Sequence, residues 1–406
     1  NNVNITTSDS GKPINSGGGG VAVELTEPGS KLNVSGCTFS ANNLEGFPGG
    51  GLRIFGDNQD LSEILVQECS FKENATNLYG GAIAISGFDS LNQVFMAKNR
   101  FESNVAEGSK GGSGVWIDQV RTINLLSLQE SPLIKNHEAK EGNGGFLSVN
   151  NLSVVNEFRY WKNTHSGYSK SGKNGGVVFL DADTTNLFKF SGNSGISGEA
   201  GLSGGVFYAM RNSWFNKVEV RQNQLVKSEA LNGEGGAFYL NPVKFYSFQL
   251  VGNSIDYTAA KGSGGLLCFR FDTGNDITLS NNSSIKYAKS DANGGCFYIN
   301  GTVNLKNYFS LHDNIFGESY ANGDGGVLWF TCNMPLRELP FTVMNNTVTL
   351  SATSRGKGGF AFINGSIRQS MWFRGNNVQS TSAVLDGGFV FLAPNIQQMM
   401  ERCMPY

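Results

Sequence analysis

GGAFYLNPVKFYSFQLVGNSIDYTAAKGSGG, residues 235–265, holds one complete repeat and the start of the next. The pair Gly235-Gly236 leads into a short apolar run, Ala237-Phe238-Tyr239-Leu240. Further on, Phe248 and Leu250 are apolar with Gln249 between them, an alternation that argues for a strand with one buried face. Three residues after Leu250 comes Asn253, then Ile255, then a polar stretch that ends on the next pair, Gly264-Gly265. No helical periodicity separates these segments.

The same frame runs along the whole chain. Glycine pairs lie at Gly19-Gly20, Gly50-Gly51, Gly80-Gly81, Gly111-Gly112, Gly144-Gly145, Gly175-Gly176 and Gly204-Gly205, and again at Gly235, Gly264, Gly294, Gly325, Gly358 and Gly387 with their successors. That makes thirteen copies, their second glycines 29 to 33 residues apart. A fixed period of this size marks a stacked-repeat architecture, in which each repeat contacts mainly its neighbours. The alternating segment recurs at Leu32/Val34, Ile64/Val66, Phe188/Phe190, Val218/Val220, Ile277/Leu279 and Phe341/Val343. Lys189, Glu219, Gln249, Thr278 and Thr342 fall between such apolar positions and are expected to face water. Three residues after the alternation stands a turn residue: Asn99, Asn163, Asn193, Asn223, Asn253, Asn282, Asn314, Asn346 and Asn376, with Cys37 and Cys69 in the same slot of the first copies. Asn tolerates a left-handed backbone, and asparagines stacked at one position in successive coils can bond as a ladder. Three short strands per coil predict an all-β fold, a right-handed parallel β-helix (a solenoid) of about thirteen coils over residues 1–393. Pro394 and Asn395 suit the start of a short capping helix in the tail, 394–406. The L-x-x-L-x-L frame of leucine-rich repeats is absent.

Composition narrows the function classes. Hydrophobic residues make up 39% of the 406, charged residues 16%, and the net charge is -2, which argues against disorder. Near-neutrality gives no electrostatic reason to expect nucleic acid or an anionic membrane as partner. No apolar run is long enough for a transmembrane helix. No basic-then-apolar leader opens the chain at Asn1, and a strand fragment, Val3–Ile5, precedes the first glycine pair, so a piece of something longer is expected.

Two short motifs carry a resemblance. Gly80-Gly81-Ala82-Ile83 fits G-G-A-[ILV]. Phe39-Ser-Ala-Asn42, Phe71-Lys-Glu-Asn74 and Phe101-Glu-Ser-Asn104 fit F-x-x-N, and Leu133-Ile-Lys-Asn136 fits it weakly. These copies resemble the repeats of the chlamydial polymorphic outer-membrane proteins, and similar repeats occur in large surface proteins of protists. Cys37 and Cys69 fall where such repeats often carry cysteine. The resemblance covers about a quarter of the chain, since the F-x-x-N element is lost from Tyr160 onward. It implies an exported, adhesin-like β-helix at the cell surface, although this chain has no barrel-like segment to export it.

Candidate sites have to stand out from the repeat. Three residues after the second glycine comes an aromatic column: Phe179, Tyr208, Tyr239, Tyr298, Trp329, Phe362 and Phe391, with Cys268 in the same series. Its neighbours are apolar too, and a strand apolar on both faces is normally covered on both. The column is an internal stack, a row covered by the chain's own loops, an interface with another protein chain, or a glycan platform. Arg53 and Glu24 break the inward-outward parity in the first coils. Cys37 and Cys69, one coil apart, are within disulfide range or are two buried thiols. A bridge there would imply an oxidising compartment. Cys332 and Cys403 are a second candidate pair, and Cys268 and Cys296 are out of register. Of nine glycosylation sequons, those at Asn33 and Asn345 adjoin the second strand on its solvent side. Asp181/Asp183 and Asp272/Asp276 are isolated pairs expected as solvated turn residues, and His137, His165 and His312 lack metal-ligand spacing. The reading is a non-catalytic module with no cofactor and no metal, extracellular or on the cell surface, packing against other protein chains or glycans. The alternative is a polysaccharide-active β-helix enzyme.

Overall fold

The structure, a computed structural model, describes residues 20–56, 62–210, 213–335, 340–368 and 370–393, together with the backbone of the strand Asn2–Thr6. Among the described residues every regular element is a β-strand, and successive coils pair in parallel. The fold is the parallel β-solenoid that the period predicts. The capping helix expected at 394–406, with Cys403, lies outside the described residues. The chain divides into two compact units, Asn1–Ser213 and Trp214–Tyr406.

In the first unit, the first and second expected segments join into single long strands: Ile83–Ala97, Val115–Gln129, Leu147–Trp161 and Val178–Ser191. Their register is one coil per strand, with Val94 beside Leu126, Leu126 beside Phe158 and Phe158 beside Phe188. All four are fully buried, as the alternation requires. In the second unit the first strand is shorter in some coils, as at Phe238–Leu240, and continuous with the second in others, as at Leu267–Ser280. The third strand there is longer than its single apolar position suggests: Gln224–Ala230, Ser254–Ala260, Ser284–Ser290, Ile315–Ala321 and Thr347–Thr353. Its inward positions beyond Leu225, Ile255 and Ile285 carry small residues such as Ser228, Thr258 and Ala288, all buried. Two of the second-strand residues expected in water are not there. Thr342 is 8% exposed and its Oγ1 donates to Ser310 Oγ at 2.9 Å, while Glu219 is 9% exposed.

The glycine pairs answer two separate demands. The first member sits in the left-handed region, at φ 65 in Gly235 and 71 in Gly264, where a Cβ is strained. The second lies where coils touch backbone to backbone, and a Cβ on Gly236 would collide with the carbonyl of Gly265. The pairing corrects the frame in three early copies, the first included, where Val21 pairs with Leu52 and Glu24 with Phe55. Leu52 pairs with Ile83 and Arg53 with Ala84, so the pair equivalent to Gly80-Gly81 is Gly49-Gly50, with φ 81 at Gly49. By the same register Gly112-Ser113, not Gly111-Gly112, is the fourth pair. The apparent parity break at Arg53 and Glu24 follows from that one-residue offset, and both side chains belong to outward positions.

The turn after the second strand is also assigned differently. The left-handed residue is the one before the ladder position, as at Glu68 (φ 54), Lys98 (φ 55), Gln222 (φ 54) and Asn281 (φ 53). The ladder asparagine itself contributes through its amide.

Candidate functional site

The interior ladder runs unbroken from Asn223 to Asn376 in the second unit and in two stretches, Cys37 to Asn99 and Ser131 to Asn193, in the first. In the second unit, Asn223 Nδ2 donates to Asn253 Oδ1 at 3.0 Å, Asn253 to Asn282 at 3.0 Å, Asn282 to Asn314 at 2.8 Å, Asn314 to Asn346 at 3.0 Å and Asn346 to Asn376 at 3.0 Å. In the first unit Asn163 Nδ2 donates to Asn193 Oδ1 at 3.2 Å, Ser131 fills one slot, and the Cys69 amide donates to Asn99 Oδ1 at 2.9 Å. Cys37 and Cys69 stand in their slots as buried free thiols. Cys69 Sγ accepts from the Cys37 amide at 3.4 Å, and burial pushes its thiol up to about 12. Cys268 faces outward beside Tyr298, whereas Cys296 turns inward to Ser319 Oγ at 3.1 Å.

The F-x-x-N copies form a second ladder. Phe39, Phe71 and Phe101 stack with ring centroids 4.9 and 5.2 Å apart, and Asn42 Nδ2 donates to Asn74 Oδ1 at 2.7 Å, Asn74 to Asn104 at 3.0 Å. Phe101 pairs with Ile134, one residue beyond the Leu133 of the fourth weak copy, so His137 and not Asn136 takes the next asparagine position. His137 ends that ladder with neither ring nitrogen in a well-formed hydrogen bond. Burial pulls its pKa down to about 4, opposed in part by the backbone of Phe101. Burial, with His137 nearby, pulls His165 down to about 3, and His165 Nε2 lies 2.9 Å from the Tyr160 hydroxyl.

The aromatic column points outward, as its position after the second glycine implies. Its inward neighbours Phe238, Leu240, Leu328 and Phe330 are at most 1% exposed. Tyr298 stacks on Trp329 at 4.3 Å, Trp329 faces Phe362 at 6.1 Å, Phe362 faces Phe391 at 5.4 Å, and in the first unit Phe179 stacks on Tyr208 at 5.6 Å. The column is nevertheless not an open ridge. Phe179, Cys268 and Tyr298 are buried; Tyr208, Tyr239, Trp329, Phe362 and Phe391 are half-buried. The guanidinium of Arg270, held by Glu234, lies 5.1 Å over Tyr298, and Lys357 lies 4.4 Å over Phe391. What reaches solvent is a narrow line of ring edges.

The sequon asparagines differ in access. Asn345 is exposed, whereas Asn33 is half-buried with an unbonded Oδ1. The sequons at Asn74 and Asn282 fall on fully buried ladder positions. Asp181 is held above the usual carboxylate range by burial and by the neighbouring carboxylates Asp183 and Asp118. Asp276 is raised by burial, and Asp272 accepts from Thr302 Oγ1 at 2.6 Å. Among the described residues no group of three or more His, Cys, Asp or Glu is placed to hold a metal ion.

Two outward rows were not singled out from the sequence. On the first unit an amide row runs across the long strands midway along their length: Asn124 Nδ2 donates to Asn92 Oδ1 at 3.5 Å, Asn156 to Asn124 at 2.8 Å and Asn186 to Asn156 at 2.7 Å. On the second unit, the outer face of the third strands carries Tyr257, Tyr287 and Tyr320, with centroids 5.0 and 5.9 Å apart. A groove of about 810 Å³ opens beside Tyr320. The signal was a recurrence near the repeat length, hidden because tyrosine there alternates with lysine and glutamate. No protein-family model, curated protein or solved structure matches the chain.

Proposed function

We propose that the chain is a non-catalytic structural and adhesive β-solenoid module, working outside the cell or at its surface as part of a larger protein or fibre. The observation that carries this reading is the outward line Trp329, Phe362 and Phe391, half-buried rings on three successive coils of one face, with Tyr239 half-buried further along the same column beyond the buried Cys268 and Tyr298. Aromatic edges at a regular spacing suit an extended contact with another chain, where tyrosine and tryptophan contribute most per residue. The resemblance of the early copies to exported surface repeats supports the same reading. The test is the double variant Tyr239→Ser/Trp329→Ser, followed by light scattering and electron microscopy of the native material. Loss of assembly with an unchanged circular-dichroism spectrum is the expected result. Unfolding of the variant would make the column structural. A wild-type chain that stays monomeric at every concentration would remove self-assembly.

A polysaccharide-active enzyme is the second reading, favoured by one observation: Asp181, whose carboxyl pKa is raised by burial and by the nearby carboxylates Asp183 and Asp118. Such a pairing can serve as acid and base. Release of reducing ends from a polysaccharide, abolished by Asp181→Asn, would establish it over the first.

A further inference from the structure

We propose that the outer face of the third strands in the second unit binds a neutral, linear glycan in the groove beside Tyr320. This deepens the adhesive reading and rests on it.

The groove opens where the outer face passes from a large side chain to a small one, since Tyr320, in register with Lys289, next meets Ala352. Tyr257 stacks on Tyr287, and Tyr287 faces Tyr320, but the residues paired with Glu318 and Tyr320 in the next coil are Leu350 and Ala352. Ala352 leaves the far side of the Tyr320 ring without a stacking partner, and the space opens there. The groove measures about 810 Å³, and a hollow of about 160 Å³ beside Tyr257 shares Lys289 and Asp291 with it, so the depression continues across neighbouring coils. The larger volume lies in the usual range of ligand sites.

Its chemistry selects among ligands. Asp291 is flanked by Lys289 at 3.3 Å and Lys261 at 3.7 Å, so those charges are satisfied from within. Among the described residues Glu318 pairs with no cation, and its carboxylate meets only the Tyr320 hydroxyl, at 3.3 Å. A polyanion would meet that carboxylate and find its lysines already engaged. An apolar peptide would find little beyond two alanines and the ring edges. A sugar has hydroxyls to donate to Glu318, further hydroxyls for Asn322 and Ser354, and an apolar C–H face to set against Tyr320. The coils repeat at about 4.8 Å, close to the length of one sugar unit, which favours a chain of sugars lying across the coils over a single one.

The experiment is titration calorimetry of the full chain with uncharged hexasaccharides of glucose, xylose and N-acetylglucosamine, with hexagalacturonate as the charged control. At least one neutral hexasaccharide should bind. Tyr320→Ala and Glu318→Gln should each weaken it about tenfold, and Ala352→Tyr, which fills the space beside Tyr320, should abolish it. Tyr246→Ser, an exposed tyrosine outside the groove, should leave it unchanged. Melting curves identify any variant that fails to fold, and Glu318→Gln changes no volume. No binding of any neutral hexasaccharide, or binding that survives both Tyr320→Ala and Ala352→Tyr, overturns the proposal. Assembly without sugar binding would remove the groove alone. Sugar binding followed by chain shortening would keep the groove and remove the non-catalytic reading.

Discussion

Asn253 shows what one ladder residue does. Its Oδ1 accepts from the amide and Nδ2 of Asn223, and its Nδ2 donates to the Val220 carbonyl and to Asn282 Oδ1, each at 3.0 Å. Truncation would leave several buried polar groups on adjacent coils unpaired, at about 1–3 kcal/mol each before relaxation. Asn253→Ala is therefore expected to destabilise the second unit by roughly 3 kcal/mol or more, read from urea unfolding. Gly236→Ala should be at least as damaging, because its Cβ meets backbone that neither coil can move. The ladder was legible in the sequence since one residue type recurs in one slot. The glycine register was not, because Gly49-Gly50-Gly51 offers two equivalent pairs and only strand pairing chooses between them.

At the scale of the element, the turn after the second strand places a left-handed residue before each ladder position. Gly192, Gly252 and Gly375 meet that demand without strain, while Lys98 and Gln222 do not. Gln222→Gly is expected to raise stability by up to about 1 kcal/mol, seen as a higher melting temperature, because the left-handed backbone costs a Cβ-bearing residue that much. The second strand was readable from hydropathy, since Phe248 and Leu250 contrast with Gln249. The full third strand was not. Its inward Ser228, Thr258 and Ser319 are as polar as the residues outside them, so no alternation marks it. The groove on its outer face was hidden for the same reason.

At the scale of the molecule, the buried histidines make the first unit sensitive to acid. His137 and His165 are neutral in the fold, their pKa values drawn down to about 4 and about 3 from 6.5. The unfolded chain therefore binds more protons between those values. Stability is complete above pH 6.5 and falls as the pH drops towards 4, by roughly 1.4 kcal/mol per unit for each histidine at the steepest. Acid unfolding curves should show this fall. His137→Asn should reduce its slope by about half, leaving the His165 share, and also give the Asn104 ladder its missing member. The solenoid class was legible from the period alone, but no outward row could be ranked as a site, because exposure depends on which loops and cations lie over each column. Under mechanical load the ladders have a further consequence. Their amides tie each coil only to its neighbours, so tension on an end should peel coils off in succession. Each step would pay out a coil of 29 to 33 residues, roughly 100 Å of contour length. Force spectroscopy would record this as an evenly spaced sawtooth, and the module would act as an extensible shock absorber.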